Sequence, residues 1–215
     1  MALTDLTLNT TSIANLALSH LGMKPITDLD TDAAAYNPAA IAINLHWGPV
    51  RNDLFSEYQW SFANVVEPMQ VQAGVSISDY PEWQYFYVYT ANAATVWNVF
   101  DPGSVEEKEE NQFEVVYNPD LAVRIICCNV TNASVAAYCE YTYNVTDPTL
   151  WSPKFVMAFS YRLASSICVD LTGDEKKALT LMQLSSAYIH DSKRIGSSEK
   201  KNKPHQSNPI VASRG

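Results

Sequence analysis

The 215-residue chain reads as an α+β protein: an antiparallel four-helix bundle interrupted by a small, mostly antiparallel β domain, with an extended C-terminal tail. Three observations predict this. Apolar residues recur every three or four positions near both ends of the chain, the helical period. Between Tyr58 and Tyr161 lie 20 of the 24 aromatic residues, in alternating or β-rich runs. The last stretch, from Gly196, is polar and basic and cannot bury enough apolar surface to fold alone. The expected division is residues 1–62 as the first part of a helical body, 63–151 as an inserted β domain, 152–195 as the second part of the body and 196–215 as a flexible basic tail.

In the first helix, Ile13, Leu16, Ala17, His20 and Leu21 share a face, a Thr/Ser cluster can cap the start, and Gly22 stands where a left-handed cap would end it. Residues Met23 to Tyr36 read as a loop. Asn37 before Pro38 is a cap followed by a first-turn proline, and Ala40, Ile43, Trp47, Val50, Leu54 and Tyr58 continue at helical spacing. Pro49 inside that helix should kink it, because proline removes one backbone bond and crowds the carbonyl of Leu45.

Strands are expected at Gln84–Tyr89, Phe113–Tyr117, Val123–Cys128 and Ala137–Tyr143, punctuated by Asp101-Pro102-Gly103, Asn118-Pro119-Asp120 and Asp147-Pro148. Ser152-Pro153 opens a third helix with Val156, Phe159, Leu163, Ile167 and Leu171 on one stripe, closed by Gly173. Asp174 can cap a fourth, with Ala178, Leu181, Leu184, Tyr188 and Ile195 on its apolar side and Gly196 as its end.

Composition excludes several functions. With 14 basic and 23 acidic residues the net charge is -9, so the chain as a whole repels phosphate backbones and does not suit general nucleic-acid binding. The seven glycines lie at least 19 residues apart, which excludes the Gly-rich phosphate loops of dinucleotide and P-loop folds. No apolar run approaches the roughly 18 residues of a membrane span, and the N-terminus lacks a cationic, uninterrupted secretory signal. A soluble protein kept in a cytoplasm is expected, with no membrane partner. Cys127, Cys128, Cys139 and Cys168 have no metal or redox spacing and read as free thiols. Four N-x-S/T sequons read as composition.

Catalytic and metal motifs are weak. Asp28-x-Asp30-x-Asp32 resembles the start of a calcium loop, but alanine stands at 33 and 39, where glycine and glutamate are required. His20, His46, His190 and His205 form no ligand spacing and read as structural or solvated. Asp53 and Glu57, four apart on one helix face, are more simply solvated charges than a catalytic pair. No nucleophile elbow or zinc-protease motif occurs, so no enzyme, cofactor or metal is expected. The interleaved tyrosines suit a small sheet core better than stacking on bases.

The ordered segments Ile13 to Ile26 (IANLALSHLGMKPI), Trp47-Gly48-Pro49-Val50-Arg51-Asn52-Asp53-Leu54, Tyr58-Gln59-Trp60-Ser61-Phe62-Ala63, Tyr80-Pro81-Glu82-Trp83-Gln84-Tyr85-Phe86-Tyr87, Trp151-Ser152-Pro153-Lys154-Phe155 and Tyr161–Gly173 resemble the head-to-tail adaptor family of short-tailed bacteriophages, also called tail tubular protein A. The match runs in order over roughly residues 12 to 195. The family's last helix ends in alanines and acids, whereas here Ser192-Lys193-Arg194 precedes a basic segment.

The resemblance implies a structural virion protein assembled in the host cytoplasm and located at the head-to-tail interface. It would form a homo-oligomeric ring of twelve copies under the portal protein, with tail nozzle or fibre proteins on the other side and DNA passing through the lumen without specific binding. The tail would then meet the portal through Lys200, Lys201, Lys203, Ile210, Val211 and Arg214. Residues 196–215 carry four cations against Glu199, net +3, which leaves -12 on the rest. The acidic stretch Glu106, Glu107, Glu109 and Glu110 would be a solvated or channel-facing loop that discourages DNA from sticking. The competing expectation is a β-domain binding module, for glycans or a tail protein, on a helical oligomerisation stem.

Overall fold

A computed structural model describes residues 8–101, 112–130 and 137–199, with side chains followed to Ser192. It has five α-helices and two separate three-stranded antiparallel sheets. This overturns the expected four-helix bundle interrupted by a single β domain.

The helices are α1 (Thr10–Leu21), α2 (Leu29–Ala34), α3 (Pro38–Glu57), α4 (Pro153–Thr172) and α5 (Glu175–Glu199). Asn9 caps α1 through a reciprocal box, its Oδ1 accepting from the Ser12 amide at 2.7 Å while Ser12 Oγ accepts from the Asn9 amide at 2.9 Å. The helix ends in a Schellman turn, with Gly22 at φ 74° and the Met23 amide returning to the Leu18 carbonyl. Asn37 and Ser152 cap α3 and α4 ahead of their first-turn prolines, and Gly173, at φ 69°, ends α4. Asp174 Oδ1 caps α5 by accepting from the Lys177 amide at 2.9 Å.

Two helix expectations fail locally. The stretch read as a loop contains α2, six residues long and held by Asp28 Oδ1 on the Thr31 amide. One and a half turns are too few for an apolar period to show. Gly196 does not end α5, which runs on to Glu199. An interior glycine costs only about 1 kcal/mol relative to alanine, too little to stop a helix already propagating over many turns. Helix α3 continues through Pro49 to Glu57.

Packing around α4 is the main departure from a bundle. Helices α1, α3 and α5 all contact α4, while the small α2 sits against α3 and α1. Among the described helices, α4 is the one long and apolar enough to cross a membrane, with a mean hydropathy of 1.2, and 56% of that window is buried inside the fold. Small residues let α5 approach it closely: Ser185 Oγ donates to the Ala158 carbonyl and Ser165 Oγ to the Ala178 carbonyl, each at 2.8 Å. His20, Tyr161 and Tyr188 stack ring on ring across α1, α4 and α5, at centroid distances of 4.0 and 5.5 Å.

The strands are β1 (Asn64–Pro68), β2 (Tyr85–Val88), β3 (Ala93–Phe100), β4 (Phe113–Asn118), β5 (Val123–Cys128) and β6 (Tyr138–Tyr143). One sheet has the order β1-β6-β3 and the other β2-β5-β4. Inward residues of both, including Val99, Cys139 and Tyr141 from the first and Tyr87, Ile126 and Cys128 from the second, form one shared core. The far face of the second sheet buries Phe86, Ile125 and Cys127 against Tyr80 and Trp83. Cys127 and Cys128 therefore point to opposite faces, and all four cysteines are free and buried. Residues after β1 pass from one sheet to the other, where the Val88 amide donates to Gln70 and the Gln72 amide to Phe86, each at 2.8 Å.

A polar joint ties the first sheet to the helices. Glu140 of the central strand is buried, and its Oε1 accepts from Gln59 Nε2 at 2.8 Å and Asn64 Nδ2 at 2.9 Å. Asn144 Nδ2 donates to Asn52 Oδ1 of α3 at 2.8 Å.

Burial pushes the Cys127 thiol up to about 11 and the Cys139 thiol up to about 12, each helped by nearby carboxylates, from an ordinary 9.0. The unfolded chain releases these protons first, so this contribution to stability is complete below pH about 9 and falls as pH rises through the folded values. Urea midpoints should therefore decline above pH about 9, and a thiol reagent at pH 8 should label native protein slowly but all four cysteines in denaturant.

Candidate functional site

Where α3, α4 and α5 diverge they leave a cleft of about 700 Å³. Its lining is mainly apolar, with Pro49 and Val50 from α3, Val169 from α4 and Leu179 and Met182 from α5. Leu179 is 66% exposed, and Val169 and Met182 also present much of their surface to solvent. Polar groups sit among them. Ser165 and Ser166 hydroxyls donate to backbone carbonyls of Ala178 and Arg162, so both are committed to structure.

Arg162 carries the electrostatics of this cleft. Its side chain is 10% exposed, and Nη2 donates to Glu57 Oε2 at 2.6 Å while Nη1 lies 3.6 Å from Asp53 Oδ2. Nη1 also lies 3.2 Å from Met182 Sδ, and the buried Nε has no hydrogen-bond partner among the described residues. The sequence expectation that Asp53 and Glu57 are solvated charges is thus incomplete: their i, i+4 spacing aims both at one cation on a neighbouring helix. Asp53 keeps 63% of its side chain exposed and Glu57 38%. The same two helices, α3 and α4, approach again where His46 Nε2 lies 3.6 Å from Asp170 Oδ2. With Glu175 also lining it, the cleft has an apolar interior and an acidic margin. It can hold an apolar segment that brings positive charge.

Other sequence candidates have local roles. Asp28 caps α2, and its hydrogen bonds from the Thr31 backbone and side chain hold its carboxyl below the usual range. Asp32 Oδ2 accepts from the Thr27 amide at 2.6 Å and the Asp28 amide at 3.1 Å. These two carboxylates, with Asp30, belong to the turn and first residues of α2, beside a polar hollow of about 490 Å³. His20 hydrogen-bonds Ser160 Oγ at 3.1 Å, and burial lowers its pKa. His190 is exposed. Among the described residues no group of three or more His, Cys, Asp or Glu could hold a metal ion. Tyr87 and Tyr141 are core residues, whereas Tyr117 stands exposed on an edge strand.

Glu106, Glu107, Glu109 and Glu110 lie outside the described residues, as do Lys200, Lys201, Lys203, Ile210, Val211 and Arg214. Sequence reading missed the cleft and Arg162. The available signal was a single cation inside the most apolar helix stripe, which demands a buried anionic partner.

The remaining constellation is an aromatic cluster at the base of the helices. Phe155 meets Phe55 at 4.6 Å, Trp60 and Trp151 at 4.9 Å and Phe62 at 5.3 Å, between ring centroids. Trp47 packs on Phe159 at 4.7 Å. The indole N–H groups of Trp60 and Trp151 donate to the Leu54 and Val145 carbonyls at 2.8 and 3.0 Å, so both rings are buried with their polar atom satisfied. Compared with known proteins, the chain matches no family model and no curated protein.

Glu57→Gln should cost about 1–3 kcal/mol in a urea melt, because it removes the short charged bond of a buried guanidinium. Asp53→Asn should cost under about 1 kcal/mol, since that pair is longer and solvent-screened. Phe155→Ala should cost about 3–5 kcal/mol, the range for truncating a fully packed aromatic residue.

Proposed function

We propose that the protein is a structural component of a bacteriophage virion: a head-to-tail adaptor that forms a twelve-copy ring beneath the portal protein, contacts tail nozzle or fibre proteins, and surrounds the DNA channel. The observation that carries this reading is the convergence of its motif segments. Trp47, the Trp60–Phe62 pair and the Trp151–Phe155 pair are separated by up to about a hundred residues, yet their rings pack together. Residues that carry the resemblance in order along the chain are thus packed into one aromatic unit, which supports reading them together.

Two further features support it. The strong acidic excess suits a channel wall past which DNA slides without sticking. The basic segment with Lys200, Lys201, Lys203 and Arg214, and the apolar pair Ile210-Val211, suits an acidic groove on the portal. In this role the protein is a connector and performs no catalysis.

The test is the mass of the purified protein mixed with the portal protein encoded in the same genome, against each alone. A gain of about a dozen copies on the portal ring is expected. No gain at micromolar concentration across a range of salt would overturn the portal role, since an interface of ordinary size binds in that range.

A further inference from the structure

We infer that each copy in the proposed ring sets the α2 side of its α3 against the next copy's cleft between α3, α4 and α5, with Arg51 meeting Asp53 and Asp30 meeting Lys176. The inference rests on the adaptor reading for the existence of a ring and adds which two surfaces close it.

These surfaces stand on opposite flanks of one helix. Asn44 and Gly48 of α3 line the polar hollow together with Asp28 and Asp30 at the start of α2, whereas His46, Pro49 and Asp53 line the cleft. At about 100° per residue the two sets face directions roughly 150° apart. A contact that joins two different patches of the same chain is heterologous, the kind that can close a ring.

Charge is left over on the two flanks with opposite sign. Arg51 is half-buried, its Nε is buried without a hydrogen-bond partner, and among the described residues no carboxylate forms an ion pair with it. Asp53 is 63% exposed and lies 3.6 Å from Arg162, which Glu57 already holds at 2.6 Å. Arg51 and Asp53 are two residues apart on α3, hence about 3 Å apart along its axis and about 160° apart around it. A neighbour displaced sideways, with no slide along the helix, brings the unpaired cation of one copy to the exposed anion of the next.

A second pair of reversed polarity fits the same displacement. Lys176 and Asp30 are exposed, and neither has an ion-pair partner among the described residues. The Glu57–Arg162 and His46–Asp170 pairs make α3 and α4 antiparallel, and the bonds from Ser165 to Ala178 and from Ser185 to Ala158 make α4 and α5 antiparallel. Helix α5 therefore runs parallel to α3, and Lys176, next to Glu175 on the cleft wall, lies toward the His46 end of the cleft. The hollow with Asp30 likewise lies toward the Asn44 end of the other flank. With one pair of each polarity the register is fixed: a neighbour turned end over end would oppose Arg51 with Lys176 and Asp30 with Asp53. The same contact covers Leu179 and Val169, apolar residues that are 66% and 45% exposed.

The test uses the full chain, part of it isotope-labelled, assembled on the portal protein and treated with a carbodiimide, which joins an amine to a carboxylate without a spacer. A Lys176–Asp30 link between a labelled and an unlabelled chain is expected, since within one copy these residues belong to opposite flanks. Bound copies that lack this link would overturn the inference and leave the adaptor reading standing. No bound copies would overturn both. In a second measurement Arg51→Glu should need at least about tenfold more protein to fill the portal, as should Asp53→Lys, and the double variant should recover most of that loss. Filling by Arg51→Glu at the unmodified chain's concentration, or no recovery by a folded double variant, would overturn the Arg51–Asp53 contact.

Discussion

The fold depends on one constraint: aromatic side chains from two stretches far apart in sequence, 55–62 and 151–155, must pack around Phe155 while two indole N–H groups find carbonyls. Phe155 is fully buried at the start of α4, and Phe55, Trp60, Phe62 and Trp151 surround it with mixed stacked and edge geometries. Such packing is directional as well as hydrophobic, because ring quadrupoles disfavour most alternatives. It fixes where α3 ends, where the chain turns into the first strand, and where the last strand returns to α4. The sheets and the remaining helices are arranged outward from that point.

Electrostatics sharpen this arrangement at two places. Glu140 brings a carboxylate into the joint between sheet and helices, where amide donors from Gln59 and Asn64 satisfy it. Arg162 brings a guanidinium into the helix packing, where Glu57 and Asp53 meet it. Buried charge of either sign is tolerated only with such partners, so each pair restricts how its two elements can slide. The cleft beside Arg162 is the space left when α3, held by Glu57 and Asp53, and α5, held by the Ser165 and Ser185 hydroxyls, approach α4.

Local chemistry was legible in the sequence, and non-local pairing was not. Asn37-Pro38 and Ser152-Pro153 announce helix starts, Gly22 and Gly173 announce helix ends, and Val123–Cys128 reads as a strand over the range it occupies. These signals act within a few residues. The strand β3 escaped because two register shifts against β6 break its alternation, and β1 because five residues ending in proline carry little pattern. The division of the strands into two sheets, and α4 as a hub instead of one member of a bundle, depend on contacts between residues far apart in sequence. The Arg162 cluster failed to show for the same reason, since its anions lie more than a hundred residues away.

The position of α4 also has a kinetic side. The core of the helical region joins Ile13 and Leu18 of α1, Ile43 and Leu54 of α3, and Phe159 and Leu163 of α4, yet the whole β region intervenes in the chain. During synthesis the first three helices emerge with no hub to pack against and wait while both sheets are made. The sheets close largely within their own stretch of chain, so they can form during that interval, whereas the helical core requires loop closures of high contact order. Until α4 arrives, the apolar faces of α1 and α3 are exposed, and this nascent stage is where chaperones or aggregation would compete with folding.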